Sequence, residues 1–369
     1  MTMESVGGAT SAVGSPAAVD VAGRERAFAG TSYFGSLDGV RAVAVIGVLW
    51  HHTVAPNDSI PLSGRGFLGV DMFFVLSGFL ITTILLREQQ AHDDISLKRF
   101  YARRSLRIFP LYYAVVLGSL ALALFSDSPQ LTAIEDSAPQ LLLYLTNWFP
   151  TISLLAVSWS LATEEQFYLV WPPLQKFLGA AALIPLGLFV AANQLVNFGY
   201  LFSAQREELE ILQVTFTPII LGVVLAYLLH HRYGVVWQVV GHRLAAPALA
   251  AGLLVLMALP NEVTSLVGVH RLAIHLAMTA LLAALVVRED HPLAGALKQR
   301  PLVRIGAISY GIYLLHMFVR HVVVEMLGLD FSSVPLGLFV VVGIGTVIAA
   351  EISFRLFESP LLRLKPTGR

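Results

Sequence analysis

The run RAVAVIGVLWHH opens on Arg41 and closes on His51 and His52, with only apolar or small residues between. A neutral imidazole takes up a proton near pH 7, so a histidine in such surroundings is a candidate general base. Arg41 and His52 lie eleven residues apart, about 16.5 Å of rise and about three turns of helix, so both leave from nearly the same face. His51 points about 100° away. One reading has Arg41 snorkelling to lipid phosphate and the histidines resting at an outer interface. Ionisable groups aligned on one inward stripe of a membrane helix favour a functional role instead.

Carboxylates stand in two further apolar segments. GVDMFFVLSGFLI carries Asp71, with Ser77 and Gly78 about two turns deeper. Asp71 alone fits an anion near a helix N-terminus, and Ser77–Gly78 fits a small-residue packing site better than a nucleophile. SWSLATEEQFYLVWPP carries Glu164, Glu165 and Tyr168. The two glutamates point about 100° apart, so one is expected to face the bundle interior, and Glu164 shares its face with Tyr168. His52, Asp71 and Glu164 would then reach one leaflet from three helices, with Glu164 or Asp71 orienting a basic imidazole.

The basic segment SLKRFYARRSLRIFPLYY holds Lys98, Arg99, Arg103, Arg104 and Arg107, and is expected as a loop with an amphipathic piece. It could bind anionic lipid, or its guanidinium forks could bind the phosphates of a nucleotide-bearing donor; composition leaves both open. SYGIYLLH places Ser309, Tyr310, Tyr313 and His316 in the inner half to the middle of the bilayer, where a histidine is uncommon. In FRLFESPLLR, Arg355 and Glu358 have the spacing of an ordinary helix-end ion pair.

These side chains need a scaffold of membrane helices. Of 369 residues, 56% are hydrophobic and 13% charged, and apolar runs of spanning length recur along the chain. The expected fold is all-α, one polytopic transmembrane bundle of about ten helices over residues 38–55, 66–87, 107–126, 155–177, 180–203, 211–230, 245–260, 268–288, 303–327 and 333–357. Residues 1–32 are expected as a disordered cytoplasmic tail without the h-region of a signal peptide, 33–363 as the transmembrane domain, and 364–369 as a short cytoplasmic tail. Connections 87–107 and 288–304 are basic, whereas 127–154 and 328–334 carry no Lys or Arg, which puts both termini in the cytoplasm and requires an even number of spans. No cysteine is present, which excludes disulfides and thiolate nucleophiles. Zero formal charge gives no bulk attraction for nucleic acid.

Read together, LDGVRAVAVIGVLWHH, GVDMFFVLSGFLI, FYARRSLRIFPLYY, the NW at 147–148, WSLATEEQFYLVWP, SYGIYLLH and FESP resemble, in that order, the acyltransferase 3 family of integral-membrane O-acyltransferases. The resemblance covers residues 33 to 363. It implies transfer of an acetyl or other short acyl group from acyl-CoA to a hydroxyl of a carbohydrate-containing acceptor, such as a cell-envelope glycan or a glycosylated macrolide, in the plasma (inner) membrane. Carried over by position, His52, Glu164 and Asp71 would be catalytic. Arg41, Arg103, Arg104, Arg107, Tyr313 and His316 would contact acyl-CoA, and Trp159 and Tyr168 the acceptor, with no metal and no bound cofactor. Ser160, Leu161 and Glu358 also fall on typical positions. Val40 stands where leucine is usual, and His51 adds a second histidine. No SGNH-type esterase domain follows the last helix, so the acceptor would be reached directly or through a separate protein. A transporter is the rival reading, because it too places His, Glu and Arg inside helices; the lack of an internal repeat counts against it.

Overall fold

The computed structural model describes residues 21–54, 62–125, 129–151, 154–198, 200–201, 206–259, 268–326, 328 and 335–364. The expected tails at 1–20 and 365–369 lie outside them. Every regular element among the described residues is helical. In chain order the α-helices are α1 (Val21–Gly30), α2 (Gly35–Thr53), α3 (Leu68–His92), α4 (Leu97–Ala123), α5 (Pro129–Asp136), α6 (Ala138–Leu142), α7 (Trp159–Leu178), α8 (Leu183–Asn197), α9 (Arg206–His231), α10 (Tyr233–Val240), α11 (Ala245–Ala258), α12 (Gly268–Val287), α13 (Ala294–Leu297), α14 (Arg300–Ala307), α15 (Ser309–His321), α16 (Pro335–Ser353) and α17 (Ser359–Leu362).

Five runs are long and apolar enough to cross a membrane singly: Leu68–His92, Leu97–Ala123, Ala156–Val196, Gly268–Val287 and Pro335–Leu362. Eight result if three bent pairs each form one span, the bends being 68° between α1 and α2, 110° between α9 and α10, and 75° between α14 and α15. The difference from about ten has local causes. The expected spans 155–177 and 180–203 run together through the turn Gly179–Ala182, and α11 has 14 residues, short of the roughly 20 a span needs. On α16, Val340, Ile344, Ile348 and Ile352 recur every fourth residue and are all more than half exposed, an outward apolar stripe suited to lipid rather than water.

At the centre of the bundle is α3, apolar and largely buried around its circumference. Its contact with α9 is backbone on backbone. A Cβ on Gly78 would strike the carbonyl of Ile219, and one on Gly222 the carbonyl of Val75, so only hydrogen at these two positions permits the approach. The N-terminal end of α2 docks in the same way on α14, where Gly306 lies against the Asp38 carbonyl.

Two expected boundaries are corrected. Residues 21–30 are not a free tail. They form α1, whose Phe28 is buried against Phe34 and Tyr233, while Arg24 pairs with Asp290 at 3.1 Å. The basic segment is not a loop either. Its helix starts at Leu97, because the Ser96 hydroxyl accepts the Arg99 amide and Glu88, at the end of an α3 one turn longer than expected, accepts both the Ser96 amide and the Arg99 side chain. Arg103, Arg104 and Arg107 therefore stand on the first turns of α4 with fixed helical spacing.

Candidate active site

A cavity of about 380 Å³ lies between α3, α4, α7 and α15, and its α3 wall runs from Val70 to Ile84. The fourteen steps of helix between them give it a length of about 21 Å. Most of its wall is apolar, and its polar groups lie at its two ends and at its middle.

At one end stand Arg41, Arg103, Arg104 and Arg107. Arg41 donates to Asp38 at 2.5 Å, and the other oxygen of Asp38 accepts from Tyr33 at 2.6 Å. That donation pushes the Tyr33 hydroxyl, which lies outside the spanning helix, up to about 12. Arg103 is 3.7 Å from Glu88, which Arg99 already holds at 2.7 Å. Arg104 lies face-on over the Tyr168 ring at 3.8 Å and is 3.7 Å from Glu164; its Nε is buried without a partner. Arg107 has no ion pair among the described residues. Of the charged side chains that line the cavity, four are guanidiniums and one, Glu164, is a carboxylate, a wall suited to phosphate.

Ser77 projects into the middle of the cavity and donates to Glu164 at 2.6 Å. Gly78 packs on α9, as the small-residue reading expects, while Ser77 turns into the cavity as a hydrogen-bond donor to Glu164. Glu164 shares the cavity face with Tyr168, as its spacing predicts, while Glu165 points elsewhere with a buried Oε1 that has no hydrogen bond.

At the far end Tyr313 lines the cavity. Its hydroxyl donates to the Val157 carbonyl at 2.8 Å and accepts from Ser160 at 2.7 Å. One turn on, and beyond the lining, His316 packs against the Tyr313 ring at 5.9 Å and meets His52, Nε2 to Nδ1, at 3.2 Å. Each histidine also bonds a backbone carbonyl through Nδ1, His52 with Val48 at 2.9 Å and His316 with Tyr313 at 2.6 Å. A carbonyl only accepts, so in the neutral rings both Nδ1 atoms carry the hydrogen. His52 Nε2 then bears a free lone pair, the form of imidazole that can take a proton.

Several expected partnerships are replaced. Neither Glu164 nor Asp71 bonds His52; the ring's partner is His316, expected at the donor. Asp71 instead accepts from Arg271, 2.7 Å at the closer oxygen, and lies 3.0 Å from His275 Nε2. All three residues are at most 2% exposed, in a compact group between α3 and α12. Their signal was present in GVHRLAIHL, where an arginine and a histidine interrupt an apolar helix at i,i+4 spacing. Tyr168, expected at the acceptor, lies under Arg104, and Trp159 packs edge-on to Phe74 at 6.0 Å. Arg355 pairs with Glu351 at 2.5 Å rather than with Glu358, which takes the Ser353 hydroxyl at 3.2 Å. Asp38, which LDGVR sets three residues before Arg41, joins the site although it is not among the expected site residues.

Known proteins resemble the chain over most of its length. Residues 34–353 match the model of an acyltransferase domain. The chain is 29% identical over 356 residues to the peptidoglycan O-acetyltransferase OatA of Listeria monocytogenes serovar 1/2a, covering 89% of this chain and 56% of that protein. It is 28% identical over 372 residues to the O-acetyltransferase OatA of Staphylococcus aureus strain NCTC 8325 / PS 47, covering 89% and 57%. The chain therefore spans just over half the length of these relatives. No solved structure matches it. With the family model covering 34–353 and apolar helices long enough to cross a membrane, the chain belongs to the acyltransferase 3 family of membrane proteins.

Proposed function

We propose that the chain transfers an acyl group, an acetyl group first among them, from acyl-CoA to a hydroxyl of a carbohydrate-containing acceptor, with His52 as general base. The observation that carries this reading is the cavity itself, about 21 Å long, with four arginines at one end and a histidine with a free Nε2 just beyond the other. A pantetheine arm of about 15–20 Å matches that length, so the donor's phosphates would rest on Arg41, Arg103, Arg104 and Arg107 while the thioester arrives beside Tyr313 and His52. Among the described residues the Arg104 Nε has no hydrogen bond and Arg107 no ion pair, which supports an anionic occupant at that end. The excess of basic residues in the adjoining connections supports a cytoplasmic arginine end, with both termini on that side. The names of the OatA relatives support an acetyl group and a glycan.

In the transfer, the acceptor O–H gives its proton to His52 Nε2 as its oxygen attacks the thioester carbonyl. The tetrahedral adduct then expels the CoA thiolate, which takes up a proton, leaving an ester and free CoA thiol. His52→Ala, made in the full chain and shown to be folded in the membrane, is expected to abolish transfer to glycan, read as the mass increment of an acetyl ester. Full activity in that variant would overturn the assignment of the base.

A further inference from the structure

The His52 ring is held from two directions. Val48, one turn earlier on α2, supplies a carbonyl at 2.9 Å, and His316 of α15 brings Nε2 to 3.2 Å from the same Nδ1. The hydrogen of His316 is committed to its own Nδ1 by the Tyr313 carbonyl at 2.6 Å, so the Nε2 that faces His52 carries a lone pair and not a proton. The single hydrogen on His52 Nδ1 is therefore shared between two acceptors. His316 is 1% exposed, and its ring is wedged between Tyr313 and His52, at 5.9 and 4.8 Å between centroids.

We propose that His316 is a positioning residue that keeps His52 in the tautomer whose free nitrogen is Nε2, and does not bind the acyl donor. A helical carbonyl alone leaves the imidazole free to swing about its Cβ–Cγ bond, whereas a second acceptor from another helix fixes the ring plane. As His52 becomes an imidazolium, the His316 lone pair faces the N–H on which positive charge develops, which stabilises that charge and raises the basicity of Nε2. His316 stays neutral throughout and no proton passes through it. The other groups around His52 do not supply this contact. His51 on the same helix lies edge-on at 5.0 Å, and Arg320 of α15 acts on it only through its charge. Asp71 of α3 is taken by Arg271 and His275, and α16 brings Phe339 against the neighbouring Trp50.

This inference rests on His52 as the base, and its test separates the two. Ring ¹⁵N NMR of the full chain in nanodiscs, labelled at histidine and assigned by His52→Ala, reads the tautomer without any substrate. The wild type is expected to show His52 protonated at Nδ1 with a pyridine-type Nε2, and His316→Phe to show exchange between tautomers. With acetyl-CoA and soluble peptidoglycan fragments as probes, His316→Phe is expected to lower kcat on the order of 10- to 100-fold and to leave the KM for acetyl-CoA within about twofold. The acid limb of its kcat/KM profile should move to lower pH, because a base that loses an acceptor on its N–H becomes weaker. His316→Gln, which restores a carbonyl acceptor, should recover part of the rate and of the limb position. A raised KM with unchanged kcat would overturn the proposal in favour of donor binding, as would an unmoved acid limb. If His316→Phe does not fold, the wild-type spectrum still decides, since a proton on His52 Nε2 contradicts the proposal. If His52→Ala remained active, the base assignment would fall whatever the spectrum showed.

Discussion

Asp71 illustrates how a buried charge is tolerated in this molecule. Its carboxylate meets the Arg271 guanidinium at 2.7 Å and His275 at 3.0 Å, all out of contact with solvent. Removing one member of such a group leaves the other charge unpaired, so Asp71→Asn is expected to destabilise the fold by about 3–5 kcal/mol, and the double change Asp71→Leu with Arg271→Met to recover much of that loss. Thermal unfolding of the detergent-solubilised protein checks both; equal losses in the single and double variants would show that the pair is not coupled. What was legible at this scale follows from the geometry of single helices. Arg41 and His52 share a stripe and Glu164 and Tyr168 a face, because helical spacing fixes those relations within one element. The partners of Asp71 and His52 come from α12 and α15, some 200 and 264 positions away, and no helical arithmetic reaches across that distance.

At the scale of elements, adjacent residues of α3 serve opposite sides. Gly78 lets α3 and α9 touch, and Ser77 holds Glu164 inside the cavity at 2.6 Å. Gly78→Leu is expected to force the helices apart and remove folded protein from the membrane fraction. Ser77→Ala should leave the amount of folded protein unchanged and lower the rate of transfer. Comparing membrane-inserted protein with activity in the two variants tests the division, which fails if both lose folded protein equally. Ser96 plays a comparable part for α4, since its hydroxyl accepts the Arg99 amide and starts the helix that carries the arginines. Ser96→Ala should cost about 0.5–2 kcal/mol, read by thermal unfolding. The apolar runs marked most helices in the sequence, but the 68° and 75° bends before α2 and α15 did not show there. They arise where α2 docks on α14 through Gly306 and Asp38, a contact between segments more than 260 residues apart.

For the whole molecule, the arginines stand at one end of the cavity and the histidine pair lies beyond Tyr313 at the other, and the proposed chemistry needs both. Arg104→Ala removes a guanidinium whose Nε has no hydrogen bond among the described residues, and is expected to raise the KM for acetyl-CoA about tenfold with a smaller change in kcat. The most direct test is the release of CoA thiol from acetyl-CoA by the purified protein in nanodiscs, followed as peptidoglycan fragments are added. The account predicts thiol release that depends on the acceptor, matches ester formation one for one, and disappears in His52→Ala. Acceptor acetylation that continues undiminished in His52→Ala, or movement of glycan with no thiol released, would contradict it.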